Sequence, residues 1–193
     1  MIAQAKTNIS ADDYFLLDQQ STSKLEYYAG TIVAQAGSTA RHNLILANVL
    51  GHLYPQVRQH GCHMFPSDMR VQTLDQSVYT YPDITVVCAT PQYADPQELT
   101  LLNPTLIIEI LSPTTASHDR TEKFIYYRQI ESLQEYILIA QNSVYVQRYT
   151  RQTPHFWYVH LTDDLNAQLS LAAIHCTLAM ADIYAGLNIS DKI

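Results

Sequence analysis

Six consecutive residues, Leu106-Ile107-Ile108-Glu109-Ile110-Leu111, set the tightest limit on how this chain folds. Five large aliphatic side chains without alternation read as a strand of a sheet buried on one or both faces. The carboxylate in the middle is the exception. Isolated and ionised, it would cost several kcal/mol to bury unless something paired with it. A basic partner, a proton or a metal ion would each serve. A structural salt bridge, or a place at a sheet edge, is the plainer account.

The segments around this run give the order of elements. Ser10 followed by Asp13 is an N-cap signature, and Tyr14, Leu16 and Leu17 give an apolar side to a first helix. Residues 24–28 and 31–34 are β-prone runs around Ala29-Gly30, a hairpin. Between Ser38 and Gln59, Leu46, Val49, Leu50, Leu53 and Val57 recur at helical spacing, with Gly61 as the stop. Residues 69–73, 84–88 and 105–111 predict strands, and residues 90–104 a proline-containing polar loop. A helix is expected over 119–131, strands over 135–140, 144–149 and 155–161, and a short helix over 178–185. The sum is an α/β fold, a central mixed sheet flanked by helices, in a single domain over residues 1–193 with its core at about 10–185.

Composition narrows the functional classes. Charged residues make up 15% of the chain, and 11 Lys+Arg against 18 Asp+Glu leave a net charge of −7. Residues 81–193 hold 6 basic and 12 acidic side chains, so −6 of the −7 lies there. This excludes a histone-like binder that works through a basic surface. Cys62, Cys88 and Cys176 are widely spaced and odd in number, without CxxC, which supports neither a disulfide scaffold nor a zinc ribbon. A reducing cytoplasm is the expectation. The N-terminal stretch lacks a signal-peptide pattern and no apolar run is long enough to span a bilayer, so no membrane association is expected.

Two further clues accompany Glu109. Pro82 opens a strand where a missing N–H is tolerated, which leaves Asp83 at the strand mouth. If the strands of Asp83 and Glu109 are neighbours, both carboxylates can share a hard cation such as Mg²⁺. Asp119 and Lys123 are four residues apart on a helix that starts soon after the Glu109 strand ends. An exposed ion pair is the plain reading of that spacing. An ammonium reaching back toward Glu109 is the functional one.

Pro82-Asp83, then Glu109-Ile110-Leu111-Ser112-Pro113, then Asp119 and Lys123, Tyr126-Tyr127 and Glu135-Tyr136-Ile137-Leu138, together resemble the family labelled "putative restriction endonuclease", within the PD-(D/E)XK nuclease superfamily. Leu25-Glu26-Tyr27 with Gly30 resembles its N-terminal hairpin, and His42 is similar to a His found there. The (D/E)XK motif itself is broken, because Leu111 stands where lysine belongs and Lys123 is the residue that matches. The resemblance implies a restriction endonuclease-like core with an N-terminal helix and hairpin. It implies phosphodiester hydrolysis in nucleic acid, with DNA as the expected substrate. Asp83 and Glu109 would bind Mg²⁺ or Mn²⁺ and Lys123 would serve catalysis, with Glu26, His42 and Asp119 as accessory candidates. For Glu26 a solvated strand position is the plainer account, and for His42 a structural role is. Arg120, Lys123 and Arg128 on one helix would grip the nucleic acid, and a homodimer is expected. The rival is a homo-oligomeric interaction module that keeps the fold without turnover; a metal-free glycosidase using Asp83 and Glu109 is a third possibility.

Overall fold

The computed structural model describes residues 7–35, 37–73, 76–113 and 115–189. The chain opens with helix α1 (Ala11–Gln20) and the hairpin β1 (Leu25–Tyr28) and β2 (Thr31–Ala34), followed by the long helix α2 (Ala40–Gln59). Six short strands come next: β3 (His63–Pro66), β4 (Arg70–Gln72), β5 (Val78–Thr80), β6 (Ile84–Val87), β7 (Thr100–Leu101) and β8 (Leu106–Leu111). A continuous helical segment then runs through α3 (Ala116–His118), a π-helical turn (Asp119–Lys123) and α4 (Phe124–Tyr127). The chain continues through β9 (Glu135–Ala140), β10 (Val146–Thr153), β11 (Phe156–Thr162), β12 (Gln168–Leu171), β13 (Cys176–Ala179) and α5 (Met180–Ile183).

The main sheet has six strands in the order β11-β10-β9-β8-β6-β3. Only β8 and β9 run parallel within it, joined by the α3–α4 crossover. Strand β8 sits inside this sheet, and alternate residues face two separate cores. Leu106, Ile108 and Ile110 meet Ile45, Val49, Leu53 and Val57 of α2, together with α5 and the β12–β13 hairpin. Ile107 and Leu111 meet Tyr127, Ile130 and Tyr136 on the α4 side. Each fully buried aliphatic side chain contributes about 1.5–3 kcal/mol, so the five in β8 can hold Glu109 in place against its desolvation. A second sheet, β2-β1-β5-β4-β7, carries α1 on a small core of Tyr14, Tyr27, Ile32 and Tyr79.

Local chemistry fixes the element ends. Ser10 Oγ accepts from the Asp13 N–H and Thr39 Oγ1 from the His42 N–H, capping α1 and α2. Gly61, at φ +70°, ends α2 in a backbone conformation that L side chains rarely adopt. The mixed α/β architecture with its N-terminal helix and hairpin is the one expected. Several bounds differ. The helix expected over 119–131 begins at Ala116 and ends at Tyr127, β10 extends to Thr153, and Leu178 and Ala179 belong to β13 rather than to a helix. Strands β3, β5, β7 and β12 were not expected; each has four residues or fewer and is set by the strand it pairs with. The expectation of three free thiols is overturned for two of them. The register His63↔Val87 places Cys62 across from Cys88, and the two form a disulfide, leaving Cys176 free and buried. Cysteines 26 residues apart meet only through strand pairing, which no cysteine spacing announces. Closing a loop of this length is worth about 3 kcal/mol in the chain-entropy picture. Among the described residues no helix is long and apolar enough to cross a membrane.

Candidate active site

Glu109 lies on the α4 face of β8, 4% exposed. The register Ile84↔Ile108 continues one step to bring Asp83 directly opposite it, and opposed residues of an antiparallel pair share a face. Pro82 ends the ladder there, and the Asp83 side chain takes over: its Oδ2 accepts from the Ile110 N–H at 2.7 Å. The same oxygen lies 3.1 Å from His42 Nε2, on the first turn of α2. His42 is thus buried beside Asp83, and its Nδ1 has no hydrogen-bond partner among the described residues.

The helical segment supplies the cation. In a regular α-helix, residues four apart drift by roughly 40° about the axis. The wider π turn over Asp119–Lys123 offsets the drift of the α turn that follows, so Asp119, Lys123 and Tyr127 all point inward and are buried. Lys123 Nζ stands 3.0 Å from Glu109 Oε1, 3.3 Å from Glu26 Oε1 and 3.3 Å from Asp119 Oδ1. Lys123 therefore faces the carboxylates. The plain reading, an exposed i,i+4 pair with Asp119, does not hold, because both side chains are buried, and Lys123 does not share a surface with Arg120 and Arg128. Arg128 is exposed and Arg120 is half-buried, its Nε donating to Gln147 Oε1.

Glu26 is likewise inside, where the plainer account had it solvated. Strand β1 turns Tyr27 toward the small core and Glu26 and Tyr28 toward the cluster, following the two-residue period. Its carboxylate accepts from Tyr28 Oη (2.8 Å), Gln35 Nε2 (3.0 Å) and the Tyr81 N–H (3.1 Å). Sequence reading assigned no role to Tyr28 or Gln35, and it took Tyr127 only as part of the Tyr126-Tyr127 pair, not as a partner of Glu109. Tyr127 Oη donates to Glu109 Oε1 at 3.1 Å and lies 2.9 Å from Thr80 Oγ1. One signal was available: Tyr127 continues the four-residue step from Asp119 and Lys123, as Tyr28 continues the two-residue step from Glu26.

Three carboxylates crowd one ammonium, and burial among these charges shifts the proton affinities of Glu109, Lys123, Tyr127 and Tyr28. Burial pushes the Glu109 carboxyl well above its ordinary range; Lys123 opposes this, while Asp119, Asp83 and Glu26 reinforce it. Burial alone would lower Lys123, but Glu109 and Glu26 hold it well above the usual ammonium value, so it stays charged. Burial, then the neighbouring carboxylate, raises Tyr127 and Tyr28, and both remain phenols that donate. Burial thus disfavours the charged form of Glu109, and a further cation beside it would favour that form.

This donor set suits a hard cation. Among the described residues Asp119 Oδ1 is buried with the Lys123 ammonium, 3.3 Å away, as its charged neighbour and no hydrogen bond, and the second oxygens of Asp83 and Glu109 accept no hydrogen bond. No group of three or more His, Cys, Asp or Glu side chains among the described residues is arranged to hold an ion. Zinc, which asks for three or four protein ligands, does not fit this pair. Mg²⁺ or Mn²⁺ does, since Mg²⁺ commonly uses one or two carboxylates and takes its other ligands from water and substrate phosphate.

Comparison with known proteins agrees with this architecture. A crystal structure of a putative nuclease belonging to DUF820 from Anabaena variabilis superposes with a TM-score of 0.76 at 20% identity, over 92% of this chain and 98% of that one. Two proteins of Synechocystis sp. are similar in sequence: the uncharacterized protein sll1609, 33% identical over 89% of this chain and 98% of its own, and the uncharacterized protein slr1290, 29% identical over 93% of each. Residues 11–181 match the Uma2 family, described as "Putative restriction endonuclease", and the chain belongs to that family.

Proposed function

We propose that this protein is a Mg²⁺- or Mn²⁺-dependent nuclease that hydrolyses phosphodiester bonds of DNA, as a homodimer of single-domain chains. The observation that carries this reading is the inward ammonium of Lys123, 3.0 Å from Glu109, with Asp83 opposite Glu109 in strand register. It supplies at one location the acid pair and the cation that the broken sequence motif separates.

Asp83 and Glu109 would hold the ion. When bound, it supplies Lewis-acid polarisation of the scissile phosphate and activation of water. Tyr127 fixes Glu109 by donating to Oε1, which leaves Oε2 for ligation. The Ile110 N–H and His42 fix Asp83 in the same way through Oδ2. Lys123 stays protonated, and in the presence of substrate its ammonium orients the attacking water or stabilises the charge that develops on the phosphoryl oxygens. Glu26 and Asp119 hold that ammonium in the site. With a net charge of −7 and Lys123 buried, nucleic-acid binding is weak and salt-sensitive, and a divalent ion assists it.

Supercoiled plasmid incubated with the purified protein and Mn²⁺ is expected to be nicked. EDTA should stop the reaction, and Glu109→Ala should slow it by about 10²–10³-fold or more. Nicking that survives both treatments would refute the assignment. Absence of nicking with intact fold would favour an interaction module that keeps the cluster as structure, a reading to which the triple pairing of Lys123 also lends itself.

A further inference from the structure

Among the described residues, the edge strands of the two larger sheets are short or blunted with one exception. Strand β3, at one end of the main sheet, has four residues, ends in Pro66 and adjoins the Cys62–Cys88 disulfide. The edges of the second sheet, β2 and β7, have four and two residues. Short length and proline are ordinary ways of blunting an edge. At the other end of the main sheet, β11 runs seven residues, Phe156-Trp157-Tyr158-Val159-His160-Leu161-Thr162, without proline, lysine or any carboxylate. Both of its faces are open: Phe156 and Tyr158 are 58% and 56% exposed on one, Val159 and Leu161 44% and 55% on the other. In a chain of net charge −7 this is an uncharged, apolar strand with a free row of backbone donors and acceptors.

We propose that β11 pairs antiparallel with β11 of a second copy about a two-fold axis at Val159, joining two six-stranded sheets into one. Centred there, the strand complements itself. Trp157 faces Leu161 of the partner subunit and Val159 faces Val159 of the partner subunit, on the face where Tyr149 and Trp157 pack against Phe124 of α4. The apolar layer of each protomer then continues into the other. On the opposite face Tyr158 meets His160 of the partner subunit. No like charges oppose one another, which an unrelated strand presented to this edge would have to match. The exposed apolar side chains of β11, with the neighbouring Leu165 (45% exposed), offer roughly 500 Å² per copy, of which strand pairing covers the part beside the partner strand, together with the row of backbone hydrogen bonds. This pairing gives the interface of the homodimer in the proposed function and does not depend on the chemistry proposed there.

Light scattering after size exclusion tests it, without metal or substrate. The wild-type protein is expected at twice the chain mass at micromolar concentration, and Val159→Lys and Val159→Glu each at the mass of one chain. Because residue 159 meets its own copy, an equimolar mixture of the two variants should recover the dimer mass. Circular dichroism that matches wild type for both variants guards against misfolding, and recovery of the dimer in the mixture itself requires folded chains. A monomeric wild type, a dimer indifferent to Val159→Lys, or a mixture that stays monomeric would each overturn the proposal.

Discussion

Replacing Lys123 with Met is expected to cost about 3–5 kcal/mol of stability, the penalty for leaving buried charges without their partner. Glu26, Glu109 and Asp119 all lie within 3.3 Å of its ammonium and are at most 5% exposed, so water cannot take over. For a domain of this size each kcal/mol moves the midpoint by roughly 2–4 °C, which makes a fall of roughly 6–20 °C at neutral pH. The deficit should shrink in acid, where the stranded carboxylates take up protons in the folded protein. Thermal melts of the variant at neutral and acidic pH read both effects. An unchanged melting temperature would mean that the carboxylates are held by something other than this lysine.

Glu109→Gln should act in the opposite direction on stability while removing function. Burial raises the Glu109 carboxyl, so the folded state binds that proton more tightly than the unfolded chain does. Its contribution is present in full below the ordinary carboxyl range and is lost as pH rises toward the raised folded value, so the metal-free protein becomes less stable over that window. Glutamine keeps an oxygen acceptor for Lys123 and Tyr127 and carries no charge. The variant is expected to gain about 0.5–2 kcal/mol at neutral pH, to show a flatter dependence of stability on pH, and to lose metal-dependent cleavage. Equilibrium denaturation across the pH range, with and without Mn²⁺, measures this. A less stable variant would show that ionised Glu109 strengthens the fold, and that its retention needs no functional explanation.

What the sequence disclosed about this site follows from the range of each interaction. Glu109 was legible because one carboxylate among five aliphatics is a local contradiction, and Asp83 because proline marks the strand mouth beside it. The four-residue step from Asp119 to Lys123 was visible too, but its direction was not. Whether Lys123 faces solvent or sheet depends on a π turn and on what β1 presents across the gap. The carboxylate of Glu26 is buried by the Tyr81 N–H and by Gln35, contacts that span 55 and 9 residues and have no local signature. The Cys62–Cys88 disulfide was hidden for the same reason: it follows from the register of β3 on β6, and β3 is too short to announce itself. Long elements with strong periodicity, such as α2 and β8, were readable. The short strands β1, β2, β4 and β6 were readable as well, but β3, β5, β7 and β12, whose identity comes from their neighbours, were not.

Calorimetric titration of the metal-free protein with Mn²⁺ tests the central claim, that the carboxylates of Asp83 and Glu109 form one cation site. The wild-type chain is expected to bind one ion weakly, in the millimolar range, and to release protons as Glu109 ionises. Asp83→Asn, which removes a ligand charge while keeping the oxygen that receives the Ile110 N–H, is expected to abolish the heat of binding. A wild-type protein that takes up no Mn²⁺, or an Asp83→Asn variant that binds it as tightly as wild type, would contradict the account.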